Sequence, residues 1–371
     1  MKKIITFFVY LFVRFYLSKY PIHKLPQPTK LQNIKHILLF SNTALGDTMM
    51  STPAIVQTRR AFPSAKITLF ISKTIYPLFQ NYEYVDDFLV YQGGYKSFIS
   101  DILKMRRLKP DLVLMFHSNG PMDIPSAILS GAKYILKTSR NNDKEQLLST
   151  KLPLYAHFIP ARLQSLSYIT LENYDNIQMK LPAKYHAFSV NMRGGDIGFQ
   201  MRTSKERREW GIENFAKLAT MILESHATAT IFLSGTLSER EYSDQIYSFI
   251  PKDLHKRIHN HCGKYSLDEL PYFLKSLHCF ITGDTGPMHL CGALGIPSIA
   301  LFLGGASPAG SGILQDREIH IEIQQESPEF ITPHQIFESL ETLIKKLSIN
   351  ENKKYKILKT TSKNMEQKIF S

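Results

Sequence analysis

Short apolar runs alternate with helical stretches along most of this sequence, and that alternation limits the fold more than any other feature. In the N-terminal half, three runs have the length and apolar content of buried strands, at residues 36–40, 67–71 and 112–116. Helical stretches lie between them, one ending at Arg60 and one near residues 96–107. Strands that alternate with helices form parallel sheets with helices on both faces.

A second series of the same kind follows a stretch that contains proline and tyrosine, at residues 150–185. Its predicted strands are 188–192, 230–233, 279–282 and 298–302, and its predicted helices lie near 215–223, 238–249, 267–275 and 287–294. Over residues 215–223 the apolar side chains have the spacing of one helix face. We therefore predict an α/β protein with two Rossmann-like domains that face a central cleft, at residues 31–180 and 181–348.

The net charge of +13 resides at the two ends of the chain. Residues 1–46 contain seven lysine and arginine residues and no acidic residue, and residues 344–371 contain eight lysines and two glutamates. Residues 47–343 are therefore formally neutral. A nucleic-acid-binding domain carries its basic stripe on the folded body, so we expect no nucleic acid partner. Basic ends favour contact with an anionic membrane surface, and residues 349–371 are predicted to be a basic tail.

The N-terminal segment, residues 1–30, begins with an apolar and aromatic run at residues 4–13 that Arg14 interrupts. This run is shorter than the roughly 20 apolar residues that span a bilayer. No small-residue cleavage site follows it. We interpret the segment as an anchor that lies in the membrane interface; a short signal anchor and an ordinary packed helix stay open. We expect removal of residues 1–25 to leave the domain cores intact.

Cysteine and histidine spacing gives no sign of a metal site. Cys262, Cys279 and Cys291 are far apart and form no Cys-x-x-Cys pair, which is typical of a protein from a reducing compartment. The histidines do not combine with a carboxylate at ligand spacing. We expect neither a metal nor a cofactor.

The turn between the predicted strand 279–282 and the helix after it has the chemistry of an anion site. Thr285 suits the helix N-cap, Gly286 permits close approach of a ligand to the backbone, and Pro287 suits the first helical turn. Free N–H groups at such a terminus bind pyrophosphate well, and His289 lies one turn further on. An ordinary capped turn has the same pattern, so that interpretation stays open.

A second polar turn follows the predicted strand 36–40. Gly46 lies in this turn, and Asp47 stands where a helix begins, at the carboxyl end of a parallel strand where such sheets bind ligands. Asp47 is either a helix cap or a catalytic carboxylate. His117 and Asn119 follow the predicted strand 112–116 and are candidates for acceptor binding, or simply parts of a loop.

These two turns resemble the two signatures of glycosyltransferase family 9, the lipopolysaccharide heptosyltransferases. The first signature is matched by ALGD at 44–47, TPAI at 52–55 and RAFP at 60–63; the second is matched by DTGPMHL at 284–290, ALGIP at 293–297 and LF at 301–302. Weaker similarity joins residues 111–113, 126–131 and 210–219 to the same family. The resemblance covers about residues 36–305.

The resemblance implies a metal-independent, inverting enzyme of the GT-B type on the cytoplasmic side, peripheral on the inner face of the inner membrane. It implies a nucleotide-diphosphate sugar donor, an ADP-linked heptose or a related sugar, and a lipid-linked saccharide acceptor, the lipopolysaccharide core. Asp47 would be the general base. The donor pyrophosphate would be bound by Asp284, Thr285, Gly286, Pro287, Met288 and His289, with Gly46 also lining the site.

The sequence departs from the family pattern in two places. The family's Lys-x-Trp-Pro segment is replaced by RREWG at residues 207–211, where Arg208 is our candidate for the missing cation, unless this run is a solvated loop. The turn after the first strand of the second domain is predicted at 191–196, where NMRGGD replaces a His-Pro-Gly pattern. Glu239 matches a family position near the nucleoside, or is an ordinary acid at a helix start.

Two other functions are compatible with parts of the sequence. A catalytically degenerate GT-B scaffold at the membrane is consistent with the altered segment 191–211, and a family member that uses another nucleotide sugar is a third possibility. A dinucleotide-dependent oxidoreductase is disfavoured because no predicted strand is followed by Gly-x-Gly-x-x-Gly, and a P-loop pattern is also missing.

Overall fold

Two parallel β-sheets, each covered by helices, form the body of the protein. The structure, a computed structural model, describes residues 2–95, 97–118, 120–187 and 195–348. The strands of the first sheet are β1 (His36–Ser41), β2 (Lys66–Ser72), β3 (Asp87–Tyr91), β4 (Leu112–His117) and β5 (Tyr134–Lys137). Those of the second are β6 (Asp196–Gln200), β7 (Thr230–Ser234), β8 (Ile258–Asn260), β9 (Cys279–Gly283), β10 (Ser298–Phe302) and β11 (His320–Gln324). The predicted α/β fold with two Rossmann-like domains is confirmed.

The strand order places a switch point near the middle of each sheet. The first sheet has the order β3-β2-β1-β4-β5 and the second has the order β11-β10-β9-β6-β7-β8, with parallel pairing throughout the described strands. The order therefore reverses between β1 and β4, and again between β9 and β6. Open α/β sheets bind their ligands at the carboxyl ends of the strands beside such points.

Helices cover both sheets and connect successive strands. In the N-terminal half they are α1 (Lys2–Lys19), α2 (Leu45–Ala61), α3 (Tyr76–Phe79), α4 (Phe98–Leu108), α5 (Asp123–Leu129) and α6 (Phe158–Thr170). The C-terminal half has α7 (Ile212–Ser225), α8 (Arg240–Asp244), α9 (Leu270–Lys275), α10 (Gly286–Leu294), α11 (Pro308–Ser311) and α12 at residues 333–348. None of the helices in the described ranges combines the length and apolarity that a bilayer crossing requires.

The sequence misplaced or missed several elements of the structure. The strand predicted at 188–192, and most of the turn predicted at 191–196, lie outside the described residues. Strand β6 begins at Asp196 and was not predicted, and the turn after it begins at Met201. The long helix predicted near 238–249 is the short α8 flanked by 3₁₀ turns. Helix α6 occupies part of the stretch 150–185, which separates the two predicted series.

Helix α1 packs one side on the first domain and leaves the other exposed. Val13 is fully buried, whereas Phe7 and Phe15 are exposed. After the helix, Ile22 and Leu25 are buried, and the Leu25 N–H donates to the Ser149 carbonyl at 2.8 Å. The expectation that residues 1–25 can be removed without touching a core is therefore wrong, because this deletion takes three buried side chains from the domain.

One apolar core continues from the first sheet into the second. It includes Leu39 of β1, Leu166 of α6 and Leu290 of α10 among its buried members. Helix α2 contacts both α6 and α10, so it lies at the junction of the two halves. The N-termini of α2 and α10 consequently face each other across the carboxyl ends of the two sheets.

Candidate functional site

A cavity of about 840 Å³ lies between the two domains at both switch points. The first domain contributes residues from the start of α2, including Gly46 and Asp47. The second domain contributes the turn after β6, the turn after β7 and the first residues of α10. This is the position that the strand order predicts for a ligand site.

Asp47 enters the cavity from the first turn of α2 and is not a helix cap. Ala44 occupies the N-cap position, and no side-chain cap bond is formed there. The backbone register shifts between Phe40 and Ser41, just before this turn, which is a common device beside ligand sites. The Asp47 carboxylate is about one fifth exposed, and its place at a helix N-terminus favours the ionised form.

Three side chains contact the Asp47 carboxylate: Thr43 donates a hydrogen bond to it, Arg162 forms an ion pair with it, and His117 lies against it. Thr43 Oγ1 donates to Asp47 Oδ2 at 3.3 Å. His117 Nε2 lies 3.0 Å from Asp47 Oδ1, and Arg162 Nη2 lies 3.5 Å from the same oxygen. His117 does not line the cavity and is 5% exposed, so it is not placed to contact an acceptor there, as we had suggested. It contacts Asp47 instead.

The histidine is neutral and its ring is held at both nitrogens. Burial, reinforced by Arg162, Arg140 and Lys137, lowers the pKa of His117 to about 2. Arg140 Nη2 donates to Nε2 at 2.7 Å, which leaves the ring proton on Nδ1, 2.5 Å from Thr43 Oγ1. His117 therefore orients Thr43, and through it Asp47, without adding charge.

Burial and two nearby cations shift the pKa of the Asp47 carboxyl in opposite directions. Burial raises the pKa of the Asp47 carboxyl, while Arg162, Arg140 and the Thr43 hydrogen bond partly offset that rise. A general base works best when its pKa is closer to the operating pH than that of a free aspartate. The net effect is a pKa above that of a free aspartate, which strengthens Asp47 as a base.

We expect Arg140→Gln to move the acidic limb of the pH profile of kcat/KM to higher pH. Activity that needs ionised Asp47 is present above the pKa of its carboxyl and is lost as the pH falls through it. Removing the Arg140 cation raises that pKa. Arg140 is exposed, so the substitution should not unfold the protein. Arg140→Lys, which keeps the charge, is the matched control; superimposable profiles for Arg140→Gln and wild type would contradict this role.

The start of α10 forms the opposite wall of the cavity. Thr285 is at the N-cap position, but its hydroxyl bonds to Thr282 Oγ1 at 2.8 Å rather than to the helix backbone. Gly286 and Pro287 line the cavity with Asp284 and Thr285. The first N–H groups of a helix have no partner within it, so they are available to an anion. Met288 is fully buried in the core and its side chain is not a ligand contact, contrary to our expectation.

Two glycines bring the domains into contact at this point. A Cβ at Gly46 would lie 2.7 Å from His289 Cδ2, and a Cβ at Gly286 would lie 2.8 Å from Leu45 Cβ. Only glycine allows these helices to approach so closely. His289 lines the cavity but is 2% exposed, and burial lowers its pKa to about 3. It can therefore offer a neutral ring to a phosphate, not a positive charge.

Arg208 points toward the cavity from a 3₁₀ turn instead of lying in a solvated loop. Its Nη1 donates to Asp284 Oδ2 at 3.0 Å, and Ser311 Oγ donates to Asp284 Oδ1 at 3.2 Å. Burial raises the pKa of Asp284, and Arg208 offsets part of that rise. Asp284 therefore orients the guanidinium, whose Nε is buried without a hydrogen-bond partner.

Glu239 is an acid at a helix start, one of the two interpretations that the sequence left open, and its place in the cavity is compatible with the other. Its Oε2 accepts the Thr236 N–H at 2.6 Å in a capping box at the start of a 3₁₀ turn, and the residue also lines the cavity. Asn119 lies outside the described residues. Within the part of the chain that the structure describes, His, Cys, Asp and Glu form no group suited to a metal ion.

Sequence reasoning missed Thr43, Arg140 and Arg162. Arg162 was detectable in principle, because it shares one face of a possible helix with Ile159, Leu163 and Leu166. A charged residue on an apolar helix face is rarely buried without a partner. Arg140 follows β5 and is far from Asp47 in sequence, so no local pattern indicates that the two residues are neighbours.

Two parallel-sheet Rossmann-like domains that meet at the carboxyl ends of their strands are the GT-B architecture of glycosyltransferases. Escherichia coli ADP-heptose lipopolysaccharide heptosyltransferase II has this fold, with a TM-score of 0.70, 18% identity and coverage of 84% of this chain and 99% of that one. E. coli heptosyltransferase WaaC with ADP gives a TM-score of 0.65 and 15% identity, covering 83% of this chain and 99% of that one. This protein has the GT-B fold.

Sequence similarity identifies the family within that class. Residues 137–336 match the family described as glycosyltransferase family 9 (heptosyltransferase). Lipooligosaccharide heptosyltransferase 2 of Campylobacter jejuni is 27% identical over 274 residues, which cover 72% of this chain and 80% of the relative. The chain belongs to glycosyltransferase family 9, the heptosyltransferases of lipopolysaccharide biosynthesis, and is a glycosyltransferase.

Proposed function

We propose that this protein transfers heptose from an ADP-linked donor to a lipopolysaccharide core acceptor, with inversion at the anomeric carbon. One observation carries the proposal: Asp47 and the N-terminus of α10 line the same cavity from opposite domains. A base and an anion site that face each other can act on the two ends of a single displacement. The donor is further suggested by the relatives, one of which is an ADP-heptose heptosyltransferase.

The proposed reaction is one displacement in which Asp47 is the catalytic residue. Asp47 takes the proton of an acceptor hydroxyl while that oxygen forms a bond to the anomeric carbon of the donor. The bond from this carbon to the diphosphate oxygen breaks on the opposite face, and ADP leaves with the electron pair. A single displacement of this kind inverts the configuration.

The second domain would stabilise the leaving group. Negative charge grows on the diphosphate as the bond breaks, and fixed donors aimed at that charge lower the barrier. The N–H groups at the start of α10 and the Arg208 guanidinium are such donors. Glu239 and Thr236, at the carboxyl end of β7, line the part of the cavity that we assign to the nucleoside. His289 is proposed to contact a phosphate through a neutral ring nitrogen.

The acceptor is proposed to reach the enzyme from a membrane. Residues 1–30 would hold the protein on the anionic cytoplasmic face of the inner membrane, because basic residues flank the exposed aromatic side of α1.

The domain boundaries are part of the same proposal: residues 31–180 form the acceptor domain and residues 181–348 form the nucleotide domain.

The function is tested by incubating the purified full-length protein with ADP-heptose and a lipid-linked core acceptor, with and without EDTA. We expect ADP release that depends on the acceptor, a product of inverted anomeric configuration and no effect of the chelator. Retention of configuration would contradict the single displacement. Failure to transfer from any of a panel of nucleotide sugars would favour a scaffold without activity.

Arg208→Ala should weaken the binding of ADP about 10-fold to 100-fold, because a hydrogen bond to a charged group contributes about 1.5–3 kcal/mol. The binding of adenosine should be nearly unaffected. Titration of each ligand by calorimetry measures both constants. Arg207→Ala is the matched control, since Arg207 is the neighbouring arginine and is exposed. Equal losses for ADP and adenosine would remove Arg208 from the phosphate site.

A further inference from the structure

Helices α1 and α4 enclose an apolar groove that shares no lining residue with the cavity between the domains. The groove has a volume of about 610 Å³. Phe8 and Phe12 of α1 form one wall, Ile99 and Leu103 of α4 form the other, and Leu129 of α5 contributes to the lining. Of the residues that line it, only Tyr16 and Arg106 bring polar side-chain atoms. The groove is therefore suited to hydrocarbon.

Exposed apolar side chains extend this groove into a continuous patch. Ile99 is 71% exposed and Leu103 is 52% exposed, beside the exposed Phe8 and Phe12. Single exposed apolar side chains are common, but a contiguous patch contributed by two helices usually marks a binding surface. Helix α4 thus exposes apolar side chains beside those of α1, although the sequence pointed only to the N-terminal segment.

The groove is held in shape by polar contacts at its base. Arg106 Nη1 donates to Tyr16 Oη and to the Leu129 carbonyl, both at 3.1 Å. This guanidinium joins α4 to α1 and to α5, while Val13 anchors α1 in the core below. The two walls therefore form one preorganised surface, which lowers the entropy lost on binding.

The exposed charges on the two helices that form the groove are all positive. Helices α1 and α4 carry one acidic residue, Asp101, and it is buried. Their exposed charged residues are Lys2, Lys3, Arg14, Lys19, Lys104, Arg106 and Arg107. An apolar groove on two helices whose exposed charges are all basic matches the acyl chains and headgroups of an anionic bilayer. A second copy of this chain would bring two such basic surfaces together.

The surface also adjoins the edge of the domain that carries the catalytic carboxylate. Helix α1 contacts α5, whose first residue is Asp123. Asn42, in the turn that leads to Asp47, donates to Asp123 Oδ1 at 3.3 Å. A bilayer on this face would therefore lie on the acceptor side of the cavity.

We infer that α1 and α4 together form a membrane-docking surface, in which acyl chains of an anionic bilayer occupy the groove and lipid headgroups pair with lysines and arginines of the two helices. This inference rests on the proposed function in so far as the acceptor is lipid-linked. It adds α4 to the anchor and makes the anchor part of the folded domain.

The test is sedimentation of the full-length protein with vesicles of phosphatidylglycerol and phosphatidylethanolamine that contain no saccharide. The double variant Ile99→Ser, Leu103→Ser should lower the vesicle partition coefficient about 10-fold, because it removes buried apolar area from the bound state. Phe249→Ser, Phe330→Ser is the matched control, since both side chains are similarly exposed on the second domain. The control should bind vesicles like the wild type.

A second measurement covers the case in which the double variant misfolds. Leu103→Cys is labelled with an environment-sensitive dye, which is feasible because Cys262, Cys279 and Cys291 are buried. Anionic vesicles should shift its emission to the blue, and the shift should fall as salt screens the headgroups. A dye at Phe330→Cys should not respond.

Three outcomes would overturn the inference. The first is wild-type vesicle binding by the Ile99→Ser, Leu103→Ser variant together with an unresponsive dye at position 103. The second is an equal loss of binding in the Phe249→Ser, Phe330→Ser control. The third is a dimer, formed without lipid, that the double variant abolishes. The vesicles carry no acceptor and no sugar is transferred in this test. A negative vesicle-binding result would therefore not contradict the proposed reaction, and a negative transfer assay would not contradict the proposed docking surface.

Discussion

Asp47→Asn should lower kcat for sugar transfer by about 100-fold to 10,000-fold, which is the usual effect of losing a positioned general base. The amide retains the shape of the side chain and its bond from Thr43, so the first turn of α2 should keep its conformation. Affinity for ADP should change little, because the groups that we assign to the diphosphate belong to the second domain. Steady-state transfer rates and ADP titrations measure the two effects separately.

Asp111→Asn is the control for that substitution. Asp111 is a carboxylate of the same domain, but it accepts the backbone N–H groups of Lys35 and His36 at the amino edge of the first sheet, away from the cavity. Its amide variant should transfer sugar normally. If Asp47→Asn kept wild-type turnover, Asp47 would be a structural residue at a helix start and the proposed mechanism would be wrong.

Gly46→Ala should lower kcat/KM about 100-fold, even though alanine is the better helix former. The new methyl group would lie 2.7 Å from His289 Cδ2 and 3.7 Å from the Gly286 Cα atom. Either the histidine ring or the whole of α2 must move, and a displacement near 1 Å at a catalytic group can cost about 100-fold in rate. Initial rates measured over donor and acceptor concentrations that extend well below saturation would show the loss.

Gly310→Ala serves as its control, because a Cβ there lies 3.8 Å or more from its neighbours although the residue also lines the cavity. The double variant Gly46→Ala, His289→Ala removes the ring that the methyl group meets and should recover part of the activity lost by Gly46→Ala. Full activity of Gly46→Ala alone would mean that the working enzyme does not hold α2 and α10 this close.

The central strands were predictable because both faces of each strand are buried. Strands β1, β4, β9 and β10 are buried along their whole length and appear in the sequence as unbroken apolar runs. The outer strands β3 and β11 are mostly half-exposed; β11 alternates apolar and polar residues, and the apolar run of β3 is only four residues long. Strand β6 was not predicted because Gly198 and Asp196 dilute its apolar character.

Local sequence indicated where the helices of the site begin, but it did not indicate the electrostatics of the site. Turn chemistry at Gly46, Thr285 and Gly286 is local, and it indicated both helix starts correctly. The electrostatics of Asp47 is not local, because Arg162 reaches it from α6 only after α6 packs on α2. The burial that makes His289 and His117 neutral is likewise a property of the assembled domains.

The shared apolar core has a consequence for exchanging parts between relatives. A chimaera that takes its acceptor half from one heptosyltransferase and its nucleotide half from another must be cut somewhere near residue 180. Such a cut leaves the side chains of α2 and α6 on one parent and those of α10 on the other, although they pack in a single core. Core neighbours do not behave additively. Transplanting acceptor specificity would therefore require the facing surfaces of all three helices to be carried over as a matched set.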